Sequence, residues 1–299
     1  MRWEKLLALA DDYLSFCINN EAYSGEVVRE AVEKGDTLLL EAGNIEAAAA
    51  ALRTKRLQKL GHPLEGALAP EVSACLTKEH AEYLKEMVEE GVPSRRYNER
   101  CRVKAKPHGS AMEHLEELYQ KAWKDAKYGI VLFCSESAEA ALTNLVESPQ
   151  GRVPKLLPNR TISAEGRPIH DMRIPNLDNH KTEHPPANQA KHKQLARKSL
   201  WHKARHPGIK QKSAKLDVSR AFKWHDLKPD SVADFGTAMP GKPIGLSKIV
   251  KILYLAMTFG WCGSPGEYMV FADAAEAFHE SYKPARPEGT TRCHTPQTG

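Results

Sequence analysis

Residues Ile249–Phe271 read IVKILYLAMTFGWCGSPGEYMVF. Ile249 to Met257 is nearly all apolar, which predicts a strand covered on both faces. Gly263-Ser264-Pro265-Gly266 then turns the chain into a helix expected from Glu267 to about Tyr282, with Pro265 near its first position. Upstream, the texture changes after Ser148-Pro149. Leu156 to Ser163 and Arg167 to Arg173 are short extended runs around a turn signal at Glu165-Gly166, which predicts a β-hairpin. His184-Pro185-Pro186 breaks the chain, Ala190 to Arg205 reads as a basic helix, and Ser213 to Val218 and Val232 to Ala238 read as strands.

The first 150 residues read as helical. Leu6, Leu7, Leu9, Ala10, Tyr13, Leu14 and Cys17 fall at helical spacing. Ser24 caps a second helix expected to end near Gly35, and Ile45-Glu46 with the alanine run 47–51 leads into a basic helix ending at Gly61. Thr77 to Glu90 carries Thr77 as cap and Gly91 as stop, and Ser110 to Tyr128 repeats an apolar stripe. Ile130 to Cys134 reads as a buried strand and Glu136 to Leu145 as a further helix. The fold class is therefore α+β, a helical N-terminal region followed by a hairpin and a sheet. The expected divisions are a helical region 1–100 of unknown role, a helical lead-in 101–150, a basic region 151–214, a sheet-bearing region 215–282 and a loose tail 283–299.

Composition narrows the function classes. With 41% hydrophobic and 27% charged residues, a globally disordered chain is excluded. No apolar run approaches the roughly 18 residues of a membrane span, and Asp11-Asp12 stands where a signal peptide would need its apolar centre. The expectation is an intracellular chain, cytoplasmic or nuclear. The six cysteines form neither a disulfide framework nor a CxxC pair, and the histidines lack metal-site spacing. Gly236 to Lys242 fits GxxxxGK, but Pro243 replaces the hydroxyl that would bind magnesium, so a phosphate loop is not expected there. The charge is uneven. Residues 151–215 hold 15 Lys and Arg against 4 acids, a net +11, so the other 234 residues carry −6. That block points to a polyanion partner, the alternative being a solvated basic surface.

Three short patterns carry chemistry. One is Asp217-Val218-Ser219-Arg220-Ala221-Phe222, at the end of an expected strand. Another is Phe259-Gly260-Trp261-Cys262-Gly263-Ser264-Pro265. The remaining one is Arg160-Thr161-Ile162 followed by Gly166-Arg167-Pro168-Ile169-His170-Asp171-Met172-Arg173 and Asn176. In this order they resemble the retroelement reverse transcriptases of the right-hand polymerase group, most closely those of retrotransposons, over roughly residues 100–285. The resemblance implies RNA-directed DNA synthesis, a fingers hairpin, and a palm sheet that is incomplete here.

It also implies roles. Asp217 would be the catalytic aspartate that binds Mg²⁺, with the Val218 carbonyl as a second ligand, since a hard ion takes carboxylate oxygen at a rigid position. Ala221 and Phe222 would line the nucleotide, the Phe222 ring excluding a ribose 2′-OH. Arg160 and Arg167 would hold the triphosphate, for which a guanidinium fork is suited. Phe259 and Gly260 would approach the nucleotide, and Gly263, Ser264 and Pro265 the template. Phe259 departs from the polar residue of some relatives, so contact there falls to backbone. Asp171 and Arg173 read as a structural pair, Trp261 as core and Glu267 as a helix-dipole partner. The partners implied are an RNA or DNA template-primer and a dNTP. The family's second aspartate pair lies downstream, and the residues after Tyr282 contain no Asp. The expectation is thus a polymerase segment incomplete by itself. The alternatives are a non-catalytic nucleic-acid binder that uses the basic region, or a chain left with an exposed apolar strand edge.

Overall fold

The helical spacing of the first ninety residues forms four long helices, α1 (Arg2–Asn19), α2 (Gly25–Ala42), α3 (Ile45–Leu60) and α4 (Lys78–Glu89). This is a computed structural model, and it describes residues 2–157, 159–188, 191–210 and 218–281. Polar caps start three of these helices. Ser24 Oγ accepts from Val27 N at 3.1 Å, Asn44 Oδ1 from Ala47 N at 2.8 Å and Thr77 Oγ1 from His80 N at 3.3 Å, each satisfying an amide that the helix leaves open. α2 does not end near Gly35 as the sequence predicts. It runs to Ala42 and stops at Gly43, whose φ is +76°. Gly35 serves packing instead, since a Cβ there would lie 1.8 Å from the carbonyl oxygen of Phe133.

Phe133 belongs to β1 (Val131–Ser135), which α2 covers. β1 and β4 (Gly236–Pro240) flank β5 (Ile249–Tyr254) in a three-stranded antiparallel sheet ordered β1-β5-β4. Phe133 and Thr237 both stand opposite Ile252. The buried Tyr13 of α1 ties the helices to the sheet, its hydroxyl donating to Val131 O at 3.1 Å and accepting from Phe133 N at 3.0 Å. The central strand is buried as expected, but it contains Lys251, only 3% exposed. Burying an ammonium is tolerable only with a matched partner. Glu147 supplies it at 2.7 Å and also accepts from Arg102 Nη2 at 2.7 Å and Ala105 N at 3.0 Å. Asp226 likewise joins the core to α3 through Arg56 and Arg53.

The strand expected over Val232–Ala238 starts only at Gly236. Residues Pro229–Asp234 form a 3₁₀ turn, because Asp234 is drawn inward by Arg96 at 2.9 Å, Arg100 at 3.1 Å and the Ser94 hydroxyl at 2.7 Å. The helix expected over Glu136–Leu145 is a 3₁₀ turn at Glu136–Ala141. The helix expected over Ser110–Tyr128 is broken into a turn at Gly109–Met112 and α5 (Leu115–Ala126). The GxxxxGK segment runs along β4 into a 3₁₀ turn at Lys242–Ile244.

The hairpin is present with a different turn. β2 (Gln150–Leu156) pairs antiparallel with β3 (Ile162–His170), and the chain reverses over residues 157–161, not at Glu165-Gly166. Asn159 sets the reversal, its Oδ1 accepting from Thr161 N at 3.1 Å and Oγ1 at 2.7 Å, with Arg160 at φ +64°. Gly166 lies within β3 because the Arg152 side chain crosses where a Cβ would be, 2.1 Å away. α6 (His192–Arg205) and α7 (Ser264–Ser281) follow the expected basic helix and the glycine motif. The strand expected over Ser213–Val218 falls, except for Val218, outside the described residues, as does the tail 283–299. Among the described residues no helix is long and apolar enough to cross a membrane.

Gly35→Ala tests the α2–β1 contact. Helix propensity alone favours Ala by about 1 kcal/mol, whereas overpacking costs about 1–3 kcal/mol. With backbone as the obstacle, the variant is expected to melt at lower urea than the parent. A higher midpoint would contradict the packing.

Candidate functional site

The three chemistry-bearing segments are far apart in sequence, and the fold brings parts of all three together at Gly260. β3 ends at His170 and passes into the short helix Arg173–Leu177, which presents Asn176. Its Nδ2 donates to Gly260 O at 2.9 Å and its Oδ1 accepts from Cys262 N at 2.9 Å, so one side chain fastens the loop that leaves β5. Gly260 has φ +98°, and a Cβ there would lie 2.5 Å from the carbonyl oxygen of His170. Only glycine fits this approach. On the other side of the loop, the Phe222 ring lies 4.7 Å from that of Phe259 and 5.8 Å from that of Tyr268.

Around this junction the expected residues take the following places. Asp217, the expected metal ligand, lies outside the described residues. Val218 is 45% exposed, and Ala221 opens a 3₁₀ turn, Ala221–Trp224, that carries Phe222 half-buried. Arg220 precedes the turn at φ +58°, its guanidinium 3.9 Å above the Tyr128 ring. Phe259 is 56% exposed despite its contact with Phe222, and Gly260 is exposed as well. Gly263 and Ser264 are buried. Gly263 lies against Trp261 and His184, and the Ser264 hydroxyl donates to Thr258 O at 2.7 Å, which leaves Pro265 as the more open template-side candidate. Trp261 is core, packed edge-on against Phe235 and His184.

Arg160 and Arg167 are exposed on the hairpin, and among the described residues neither guanidinium is paired with a carboxylate. They are not drawn to Gly260; the hairpin is instead fixed at its root. Glu117 of α5 accepts from Gly166 N at 2.7 Å and pairs with Lys121 at 2.7 Å and Arg152 at 3.0 Å. Desolvation would raise the Glu117 carboxyl, but the hydrogen bonds from Lys121 and Gly166 outweigh it and hold it at about 2. Asp171 and Arg173 form the expected pair, with Nε at 2.7 and 2.9 Å from the two oxygens.

Glu267 does more than face a helix dipole. It is fully buried and accepts from Tyr83 Oη at 2.6 Å and Arg95 Nε at 3.4 Å, and it pairs with His184 Nδ1 at 2.8 Å. This polar knot joins α4, the His184-Pro185 break and α7. No spacing in the sequence marks it, because the partners of Glu267 lie about 80 to 180 residues from it. Among the described residues no group of three or more His, Cys, Asp or Glu could hold a metal ion. The residues described thus do not by themselves make a magnesium site.

Family models, curated proteins and solved structures were each compared with the chain, and none matches.

Asn176→Ala removes both fastenings of the 260–262 backbone and is expected to destabilise by roughly 1–3 kcal/mol, with faster amide exchange at Gly260 and Cys262. Unchanged exchange there would contradict the clamp. Burial holds His170 and His225 at about 4, with the neighbouring Lys223 adding to the effect at His170. Both are neutral in the folded chain, so the unfolded chain binds more protons between about pH 4 and 6.5. Stability contributed by these groups is full above pH 6.5 and falls as pH drops toward 4. The urea midpoint is expected to be lower at pH 5.5 than at pH 7.5, with a smaller difference in the His170→Gln/His225→Gln double variant.

Proposed function

We propose that the chain supplies the fingers hairpin and part of the palm of a reverse-transcriptase-like, RNA-directed DNA polymerase. The observation that supports this most is the junction at Gly260. Asn176, which follows the hairpin, and Phe222, which follows Asp217, contact opposite ends of the Phe259–Cys262 segment. Template-directed synthesis needs this kind of assembly, because phosphoryl transfer is chiefly positioning and charge stabilisation. In this reading the exposed Phe259–Gly260 backbone meets the incoming dNTP, Phe222 excludes a ribose hydroxyl, and Arg160 and Arg167 fold over the triphosphate from the hairpin. Asp217 is the residue toward which Mg²⁺ would be held in nucleotidyl transfer, and a downstream aspartate pair would complete its site.

Arg160 adds a separate argument. A left-handed backbone costs a non-glycine residue about 1–2 kcal/mol, and glycine would suit φ +64° better. The turn holds the Arg160 guanidinium exposed at the end of the hairpin, as a phosphate contact would require.

A second reading, a nucleic-acid binder without catalysis, is favoured by α6. None of its residues is buried, and it carries Lys193, Arg197, Lys198, Lys203 and Arg205 with no acid. Trp201 is 42% exposed with the Arg205 guanidinium 5.0 Å from its ring, a combination suited to phosphate contact and base stacking.

Titration of a labelled template-primer tests both. Affinity is expected to fall on the order of a hundredfold between 50 and 200 mM salt, as for a handful of phosphate contacts; salt-insensitive binding or none would contradict both readings. In the polymerase reading a complementary dNTP tightens the complex, and Arg160→Gly abolishes that tightening without lowering the melting midpoint. In the binder reading dNTP has no effect. In a longer product carrying the aspartate hairpin, Asp217→Asn is expected to abolish primer extension, and undiminished extension would contradict the role given to Asp217.

A further inference from the structure

The side chains of α6 are not spread evenly around its axis. At about 100° of turn per residue, Lys193, Arg197, Trp201 and Arg205, each four positions after the last, run along one side of the helix, with Gln194 and Lys198 beside them. These six positions fall within about 140° of arc, and the opposite side holds one cation, Lys203. Successive members of the row stand about 6 Å apart along the axis. All four are exposed. Trp201 thus lies between two arginines. The Arg205 guanidinium is 5.0 Å from the centre of its ring, and His202 meets the ring edge-on at 5.1 Å. The exposed apolar residues of the helix are arranged differently. Leu195, Leu200 and Trp201 point about 100–140° apart around the axis, so they make no apolar face. A lipid surface or a groove on another protein takes a helix by such a face, and neither fits α6. A polyanion fits the row of cations.

Resting on the nucleic-acid-binder reading, we infer that this side of α6 is a site for single-stranded nucleic acid, in which one unpaired base stacks on Trp201 while Arg197 and Arg205 hold phosphates on either side of it. Charge alone would not choose a single strand, because a duplex carries twice the charge per unit length. The exposed indole makes the choice. In a duplex each base face is already covered by its neighbours, and an indole reaches one only by unstacking the pair. A single strand offers its faces free, and stacking on an aromatic side chain tolerates any base. The site therefore selects strandedness and not sequence.

Fluorescence anisotropy on the full chain tests this with three labelled probes of equal length: an oligothymidylate, an abasic strand that keeps the phosphates and lacks the bases, and a blunt duplex. The oligothymidylate is expected to bind about tenfold tighter than either of the others. Trp201→Ala should remove that preference and Trp201→Tyr should keep most of it, both with an unchanged melting midpoint, since the ring is not in the core. Arg197→Gln and Arg205→Gln should each lower the salt slope for the strand by about 0.7. Equal binding of the three probes, or a preference that survives in folded Trp201→Ala, would overturn the inference and leave nucleic-acid binding standing. Binding of none of the probes would remove that reading and the inference together. Vesicles of phosphatidylserine and phosphatidylcholine that compete the oligothymidylate away through Trp201 would also overturn the inference, by making the site one for a lipid surface.

Discussion

The close approach of two backbones at Gly260 is the constraint on which the candidate site depends. The carbonyl of His170 occupies the place a side chain would need, and Asn176 bonds the loop on both sides of Trp261. The loop from the central strand is thereby fixed to the end of the hairpin, and Phe259 is left facing outward against Phe222. A glycine with left-handed φ and an amide offering one donor and one acceptor suffice, because neither can be exchanged for a bulkier or single-function group without losing a contact.

Behind that junction the protein holds charge where a hydrophobic core is expected. Lys251 is inside the sheet with Glu147 and Arg102, Asp226 joins Arg53 and Arg56, and Glu267 gathers Tyr83, Arg95 and His184. Such groups add little net stability over an apolar core, but each is costly to leave half-paired. Each also joins segments far apart in sequence: Asp226 bridges to α3, and Glu267 bridges α7 to α4 and to the break before α6.

Much of the fold was legible because it rests on local signals. Ser24 and Thr77 mark helix starts, the apolar runs 130–134 and 249–257 mark buried strands, and Pro265 marks the start of α7. What was illegible depends on tertiary contact. Gly35 looks like a helix stop until β1 is laid against it, and Gly166 looks like a turn until Arg152 crosses it. The start of β4 moves because three distant groups pull Asp234 inward. Of the site, the ordered motifs named Phe222, Phe259, Gly260 and Asn176, and these do meet. The burial of Ser264 and the knot at Glu267 carry no sequence signal, since each arises from residues that fold from elsewhere.

If the three segments form the proposed nucleic-acid and nucleotide site, hydrogen–deuterium exchange with and without a template-primer and dNTP will show it. Amides within 159–167, 218–224 and 258–263 are expected to slow together when both ligands are present. Slowing confined to 192–205, or no slowing in the 258–263 loop while the hairpin responds, would contradict that site.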